Sequence, residues 1–313
     1  MASTPKVNSP ELMHSQPAAL KARPHWVTTY QFWMMLPALL LLATLTLYPF
    51  FYLIYMSFTK VSLIGGISFN WVGGKNWLNA LNDPGLRQSW WLTIVYFVST
   101  VGLELVFGVG VALLVYELVW GRNLILSLLL MPMFIAPVVV GLIGEFMLDP
   151  VHGLYSWMLR VTSLSDGNIL GHGPSAFAAV VLMDVWEWTP LITLITLAGL
   201  TALPLDLLEA ASIDGASYFQ RLRHVVAPLC VGVVTVALLI RAMDAIRDFA
   251  IILITTNGGP ADATKTVPIR LYETAFRFFN LGYAAAIGLT MLVVSIFLAT
   301  AFLETLRSRQ LIK

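Results

Sequence analysis

Glu209-Ala210-Ala211-Ser212-Ile213-Asp214-Gly215-Ala216 lies inside a polar interruption between two apolar runs, each long enough to cross a bilayer, which takes roughly twenty residues. Upstream, Pro204, Asp206 and Glu209 suit the opening of a short helix, because proline is tolerated in the first turn and carboxylates favour the positive helix N-terminus. Gly215 breaks that helix, and Ser217 can cap a second short helix that ends in the basic group Arg221, Arg223 and His224 before Pro228 restarts the apolar run. The pattern predicts helix, glycine turn, helix, and so the seat of a partner contact. The plainer reading is an amphipathic hairpin that links two spans and rests on lipid headgroups.

The chain around this segment is 58% hydrophobic and only 11% charged, with a mean hydropathy of +0.81, which excludes an ordinary soluble domain and indicates an integral membrane protein. Six runs qualify as spans: about 31–57, 90–119, 124–148, 176–203, 228–256 and 282–304. The first is too long for a signal-peptide core and is expected to remain as a membrane helix. Six spans put both ends on one side. Lys6, Lys21, Arg23, Arg122, Arg221, Arg223, Arg307, Arg309 and Lys313 fall on that side. Lys60, Lys75, Arg87, Arg160, Lys265, Arg270 and Arg277 fall on the other. The excess of basic residues near the span ends places both termini in the cytoplasm. Residues 1–29 read as an aperiodic, mobile or surface-lying tail, and the loop after the third span suggests a surface helix near 154–161. That third span contains Pro132 and Pro137. Trp71, Trp77, Trp90 and Trp91 in the outer loop read first as interfacial anchors.

Several chemistries find no support. A net charge of +1 gives no case for nucleic acid. Cys230 is the lone cysteine, and the five histidines lack ligand spacing, so no metal site is expected. No G-x-x-x-x-G-K-[ST] occurs: Gly74-Lys75 is followed by Asn76 and lacks the upstream glycine. Any ATP-driven function therefore needs a separate nucleotide-binding subunit.

Arg241, Asp244, Arg247 and Asp248 fall near the middle of the fifth run, where each charge costs on the order of 3 kcal/mol on insertion scales. On a continuous helix Arg241, Asp244 and Asp248 share a face, and Arg247 lies one turn from Asp244, so they can neutralise one another. Either such pairs, with Asp184 or Glu187 opposite, pin the bundle, or they line a polar pathway. Asp184, Trp186, Glu187, Trp188 and Pro190 in the fourth run favour a pathway, since carboxylates beside indole rings suit a polyhydroxylated solute. Glu117 is expected to snorkel. Glu104 and Glu145 are open between pairing with Arg247 and lining the cavity.

The stretch from Glu209 to Pro228 resembles the EAA loop of permease subunits in binding-protein-dependent ABC importers: E-A-A, then D-G-A, then a basic and apolar stretch ending in proline. The one departure is Cys230-Val231-Gly232, where a second proline often stands. Tyr48-Pro49, Ser57-Phe58 and Val72-Gly73…Asn76-Trp77 are similar to the N-terminal part of sugar-importer permeases. Thr256-Asn257-Gly258-Gly259-Pro260, Ala263-Thr264, Tyr272, Ala275-Phe276 and Leu281-Gly282-Tyr283-Ala284-Ala285-Ala286 resemble the first permease subunit of carbohydrate importers, over about residues 36–304 in all. Physically, the last run reads as an outer turn, a re-entrant or surface helix and a small-residue helix start that lets neighbours approach closely.

The resemblance implies an all-α polytopic type I importer permease. Its parts would be a cytoplasmic tail (1–29), a first span and outer loop (30–89), a core (90–304) whose coupling loop is 205–228, and a cytoplasmic tail (305–313). It implies ATPase coupling through Glu209, Ala210, Ala211, Asp214, Gly215 and Ala216. It implies a solute pathway through Asp184, Glu187, Trp188, Leu191, Arg241, Asp244, Ala245 and Asp248. The partners it implies are a second permease in a heterodimer, an ATPase dimer that holds ATP and Mg, and a solute-binding protein, with no cofactor bound by this chain and no enzymatic activity. The cargo would be a sugar or sugar-like solute, crossing a bacterial or archaeal cytoplasmic membrane. The competing readings are a proton-coupled secondary transporter using Asp244, Asp248 and Glu187, and an intramembrane enzyme built on Asp184 and Asp244.

Overall fold

A computed structural model describes residues 25–62 and 66–310. The chain divides into two compact units, one ending at Tyr52 and the other beginning at Leu53. The first unit holds most of helix α1 (His25–Ser57), which contains Pro37 and Pro49 and is apolar enough to span from Phe32. Of the expected tail 1–29, residues 1–24 lie outside the described residues, with Lys6, Lys21 and Arg23, and the helix begins at His25.

The second unit opens with a feature that the sequence reading placed simply in an outer loop. Strands β1 (Thr59–Ser62) and β2 (Ser68–Trp71) form an antiparallel hairpin in the register Thr59↔Trp71 to Ser62↔Ser68. The tryptophans do more than anchor. Trp71 stacks on Phe58 with centroids 5.7 Å apart, and Trp77 Nε1 donates to Ser57 Oγ at 3.3 Å. Helix α2 (Lys75–Asn82) carries Asn76, whose buried amide donates to the carbonyls of Ser57 and Thr59 at 2.9 and 3.0 Å.

Helix α3 (Pro84–Glu117) starts where Asp83 accepts from the Gly85 N–H and Pro84 takes the first-turn position that proline favours. Then follow α4 (Arg122–Leu130), α5 (Pro137–Met147), α6 (Leu154–Val161) and α7 (Gly173–Thr201). The third expected span is not one straight helix. A 3-10 turn at Pro132–Phe134 leaves α4 and α5 inclined at 94°, either a broken span or a re-entrant loop. Two prolines, each with a fixed φ and no N–H to donate, account for the break. Helix α6 falls where the surface helix is expected.

After α7 come α8 (Leu205–Ile213), α9 (Tyr218–Arg221), α10 (Ala227–Ala245), α11 (Ala250–Thr255), α12 (Val267–Tyr272) and α13 (Leu281–Gln310). A π-helical turn, Leu222–Val226, joins α9 to α10, so the helix runs through Pro228 rather than restarting there. The fifth expected span, 228–256, is interrupted instead after Ala245. Helix α12 is not superficial: Val267, Pro268 and Ile269 are buried, and it packs against α3 and α13.

Helices α3 and α7 run side by side in the same direction at a steady offset, Tyr96 against Phe177 and Gly108 against Ile192. Helix α10 runs the other way, bringing Cys230 to Ala112 and Leu197 at one end. A Cβ on Gly108 would sit 2.8 Å from Ile192, so the missing side chain is what permits this approach. Near the hairpin, a cluster of Ala80, Leu86, Val267 and Ile287 joins α2, α3, α12 and α13. There Tyr283 donates to Asp83 at 2.7 Å and Arg270 Nε donates to Ser89 at 2.8 Å. Burial alone would push Asp83 up, but the bonds from Tyr283, Leu86 and Gly85 and the Arg270 charge hold it below the ordinary aspartate range.

Gly282 is fixed by the same geometry, because a Cβ there would collide with the Thr59 carbonyl and the Asn76 amide. Backbone cannot yield as a flexible side chain can. Gly282→Ala should therefore destabilise by about 1–3 kcal/mol, read as an apparent Tm several degrees lower in detergent. Gly232→Ala, with open space around the new methyl, serves as the control; equal Tm values for the two variants would refute this account.

Candidate functional site

The site has two parts, a charge cluster within the middle third of α3 and α7 and an exposed loop after α7. Arg241, on the last turn-and-a-half of α10, is fully buried. Its Nε donates to Glu104 Oε2 at 2.8 Å, its Nη2 to Asp184 Oδ2, and its guanidinium lies 5.2 Å from the centroid of the Trp188 ring. Glu104 and Asp184 are themselves inaccessible. A charge at this depth is tolerated only with such partners, so the cluster ties α3, α7 and α10 together.

The helix then stops. Asp244, half-exposed, stands 3.6 Å from Arg241 Nη1, and Ala245 is buried at the last helical position. Arg247 and Asp248 fall in the break before α11, so Asp248 shares no continuous helix face with Arg241 and Asp244. Tyr96 donates to Asp248 Oδ2 at 3.3 Å. Arg247 forms no ion pair with Asp244 among the described residues; its Nε donates to the Met243 carbonyl at 3.0 Å. Irregular backbone at membrane depth persists only inside protein or beside a polar cavity. Glu187 is 1% exposed, and its Oε2 has no hydrogen-bond partner among the described residues. Trp188 and Leu191 are half-buried beside it, and Trp186 is exposed.

The structure thus brings Asp184, Glu187, Trp188, Arg241, Asp244 and Asp248 together. Glu104, left open in the sequence reading, is a direct partner of Arg241 rather than of Arg247, and Glu145 is exposed on α5. Tyr96 was not anticipated. Nothing local marks it, since its role follows from the α3–α7 offset alone.

The loop matches its reading closely. Helix α8 begins after Pro204 with Asp206 in its first turn. Gly215 adopts φ +79°, the left-handed conformation in which glycine is at ease. Ser217 and Gln220 form a reciprocal capping box on α9. Arg221 Nη1 donates to Ser212 Oγ at 2.7 Å, closing α9 onto α8. Glu209, Ala210, Asp214 and Gly215 are exposed, with Ala211 and Ala216 half-buried. Leu205, Ile213 and Phe219 stand out from the loop at 64%, 86% and 66% exposure, more apolar surface than a loop in water would show without a partner. Glu117, exposed at the end of α3, borders a small cavity with Tyr218 and Arg221.

Replacing Arg241 by methionine would leave two buried carboxylates without their cation, a loss of about 3–5 kcal/mol. The variant should be recovered poorly as a monodisperse species. Adding Glu104→Gln and Asp184→Asn should restore much of it, because neutral amides of the same shape remove the stranded charge. Wild-type recovery of Arg241→Met alone would show that the cluster does not hold the helices.

Residues 104–310 match the family described as binding-protein-dependent transport system inner membrane component. The chain is 36% identical over 242 residues to the trehalose/maltose transport system permease protein MalF of Thermococcus litoralis, covering 76% of this chain and 81% of that one. It is 34% identical over 238 residues to the sn-glycerol-3-phosphate transport system permease protein UgpA of Agrobacterium fabrum, covering 76% and 80%. Among solved structures, a bacterial ABC transporter involved in import of the acidic polysaccharide alginate superposes with a TM-score of 0.79 at 19% identity over 90% of this chain and 98% of that one, a likeness of fold. With its multiple apolar helices, its uncleared mid-span charges and its glycine-hinged loop, the chain belongs to the inner membrane components of binding-protein-dependent transport systems, as a multi-pass ABC permease subunit and not an enzyme.

Proposed function

We propose that this subunit forms one wall of the translocation pathway for a sugar or sugar-like solute: a di- or oligosaccharide, a polyol or a sugar phosphate. A binding protein would deliver the solute to the face carrying β1–β2 and the 256–266 turn. A second permease would complete the pathway as a heterodimer, and a separate ATPase dimer would hold ATP and Mg, for which this chain has no phosphate-binding loop. Both termini would be cytoplasmic.

The observation that carries the coupling role is the exposed two-helix loop, with apolar Leu205, Ile213 and Phe219 presented beside the Glu209–Ala216 stretch. An ATPase cleft that buries those side chains gains hydrophobic contact, and Glu209, Ala210, Ala211, Asp214, Gly215 and Ala216 define the docking surface. ATP-driven closure would then move the loop and with it the bundle, a rigid-body coupling across an interface. The pathway role rests on the cluster of Asp184, Glu187, Trp188, Leu191, Arg241, Asp244, Ala245 and Asp248 beside interrupted helix. The solute class is supported by relatives whose names specify trehalose, maltose and glycerol phosphate.

Gly215→Pro tests the coupling. Proline cannot adopt φ +79°, so the loop should lose its hinge while the spans still insert. Solute-stimulated ATP hydrolysis by the assembled transporter should fall at least tenfold, with membrane abundance unchanged. Transport at the wild-type rate would remove the docking role.

A further inference from the structure

We infer that Glu145 marks the face of α5 on which the second permease packs, and that this partner brings an arginine or lysine side chain to it within the membrane. The inference rests on the two-permease reading and adds to it a surface and a charge.

Helix α5 packs by one side. Its buried residues are Val140, Gly141 and Gly144. Thr255 on α11 donates to the Gly141 carbonyl at 3.2 Å, and a Cβ on Gly144 would collide with the Met183 side chain on α7. Met183 directly precedes Asp184, a partner of Arg241, and lies about 15 Å along α7 from Gly173 at the helical rise. Glu145, next to Gly144, therefore stands at the depth of the buried ion cluster, well inside the apolar layer.

The other side of α5 is uncovered. Val138, Leu142, Ile143 and Phe146 are exposed, Phe146 at 71%. Glu145 is exposed beside them, and its side chain makes no hydrogen bond or ion pair among the described residues. Three surroundings could cover this face. Lipid would leave a charge in hydrocarbon, which ionisable residues at this depth avoid by facing protein or water and by pairing with one another. A water-filled path would leave the large apolar side chains around Glu145 wet, whereas the polar groups proposed for the pathway, Asp184, Glu187, Asp244 and Asp248, lie on α7, on α10 and in the break that follows it. A protein surface satisfies both kinds of residue: apolar contact for Val138, Leu142, Ile143 and Phe146, and a cationic donor for the carboxylate. Arg241 cannot be that donor, being enclosed by Glu104 and Asp184, so the cation comes from outside this chain's described residues.

The test uses the complete transporter, purified in mild detergent through a tag on this chain. With Glu145→Lys, the second permease recovered should fall at least tenfold at unchanged membrane abundance of the tagged chain, and exchanging one arginine or lysine in the second permease's spans for glutamate should restore it. A photo-reactive benzoylphenylalanine at position 145 should crosslink to the second permease in intact membranes, a readout that stands even if Glu145→Lys fails to insert. Wild-type assembly of Glu145→Lys would overturn the inference, and wild-type assembly with uptake lost would assign Glu145 to the solute path instead. Crosslinks to lipid alone would also overturn it, as would a loss of assembly that no charge exchange restores. Failure of the unmutated chain to recover any second permease would instead remove the two-permease reading on which the inference rests.

Discussion

A guanidinium held in the middle of an apolar bundle constrains everything packed around it. Arg241 reaches Glu104 on α3 and Asp184 on α7 at once, so the three helices cannot slide or rotate independently without separating buried opposite charges. The steady α3–α7 offset, the approach at Gly108 and the antiparallel placement of α10 are all consistent with this junction. Hydrophobic contact alone would not specify such a register, because lipid tails are as apolar as the side chains they replace. The polar contacts supply the specificity.

A second set of polar contacts organises the hairpin end. Asn76 binds the chain as it leaves α1, Asp83 and Tyr283 join the starts of α3 and α13, and Arg270 reaches Ser89 from α12. Beyond α12, Lys265 lies between Asp262 and Glu273, and Arg277 bridges Glu273 and Asn257. Burial opposes the charge on Lys265, yet its two carboxylate partners outweigh that effect and hold its amine above the ordinary lysine range. The 256–266 turn, with positive φ at Asn257, Gly258, Ala261 and Asp262, is therefore a fixed shape rather than slack chain. A fixed shape is what a docking protein can recognise.

Local chemistry made much of this legible. The loop's two helices follow from Asp206, Gly215 and Ser217, each acting on its own turn, and the surface helix at 154–161 was equally visible. The first, second, fourth and sixth spans followed from apolar run length. What escaped were features decided by distant contacts. Glu104 and Arg241 are 137 residues apart, and only the packing of α3 on α10 makes them partners. The break after Ala245 was hidden because Ile246, Phe249 and the run to Thr255 keep the hydropathy high while the helix ends. Pro132 and Pro137 were seen, but composition does not say whether a proline pair kinks a span or turns it by 94°. The hairpin near Thr59 was missed because Gly65-Gly66 reads as loop and the strands are only four residues each.

The π turn at Leu222–Val226 has a mechanical consequence. Because it keeps α9 and α10 continuous, Tyr218–Ala245 is one 28-residue rod, about 40 Å long at the helical rise. Ser217 and Gln220 cap one end, and Arg241 sits near the other. Such a rod acts as a crank: a tilt of about 5° about its capped end would carry the guanidinium roughly 3 Å sideways, as far as the hydrogen bond it makes to Glu104 is long. A small push at the loop would then be enough to disturb the contacts that Arg241 makes with Glu104 and Asp184 in the middle of the bundle.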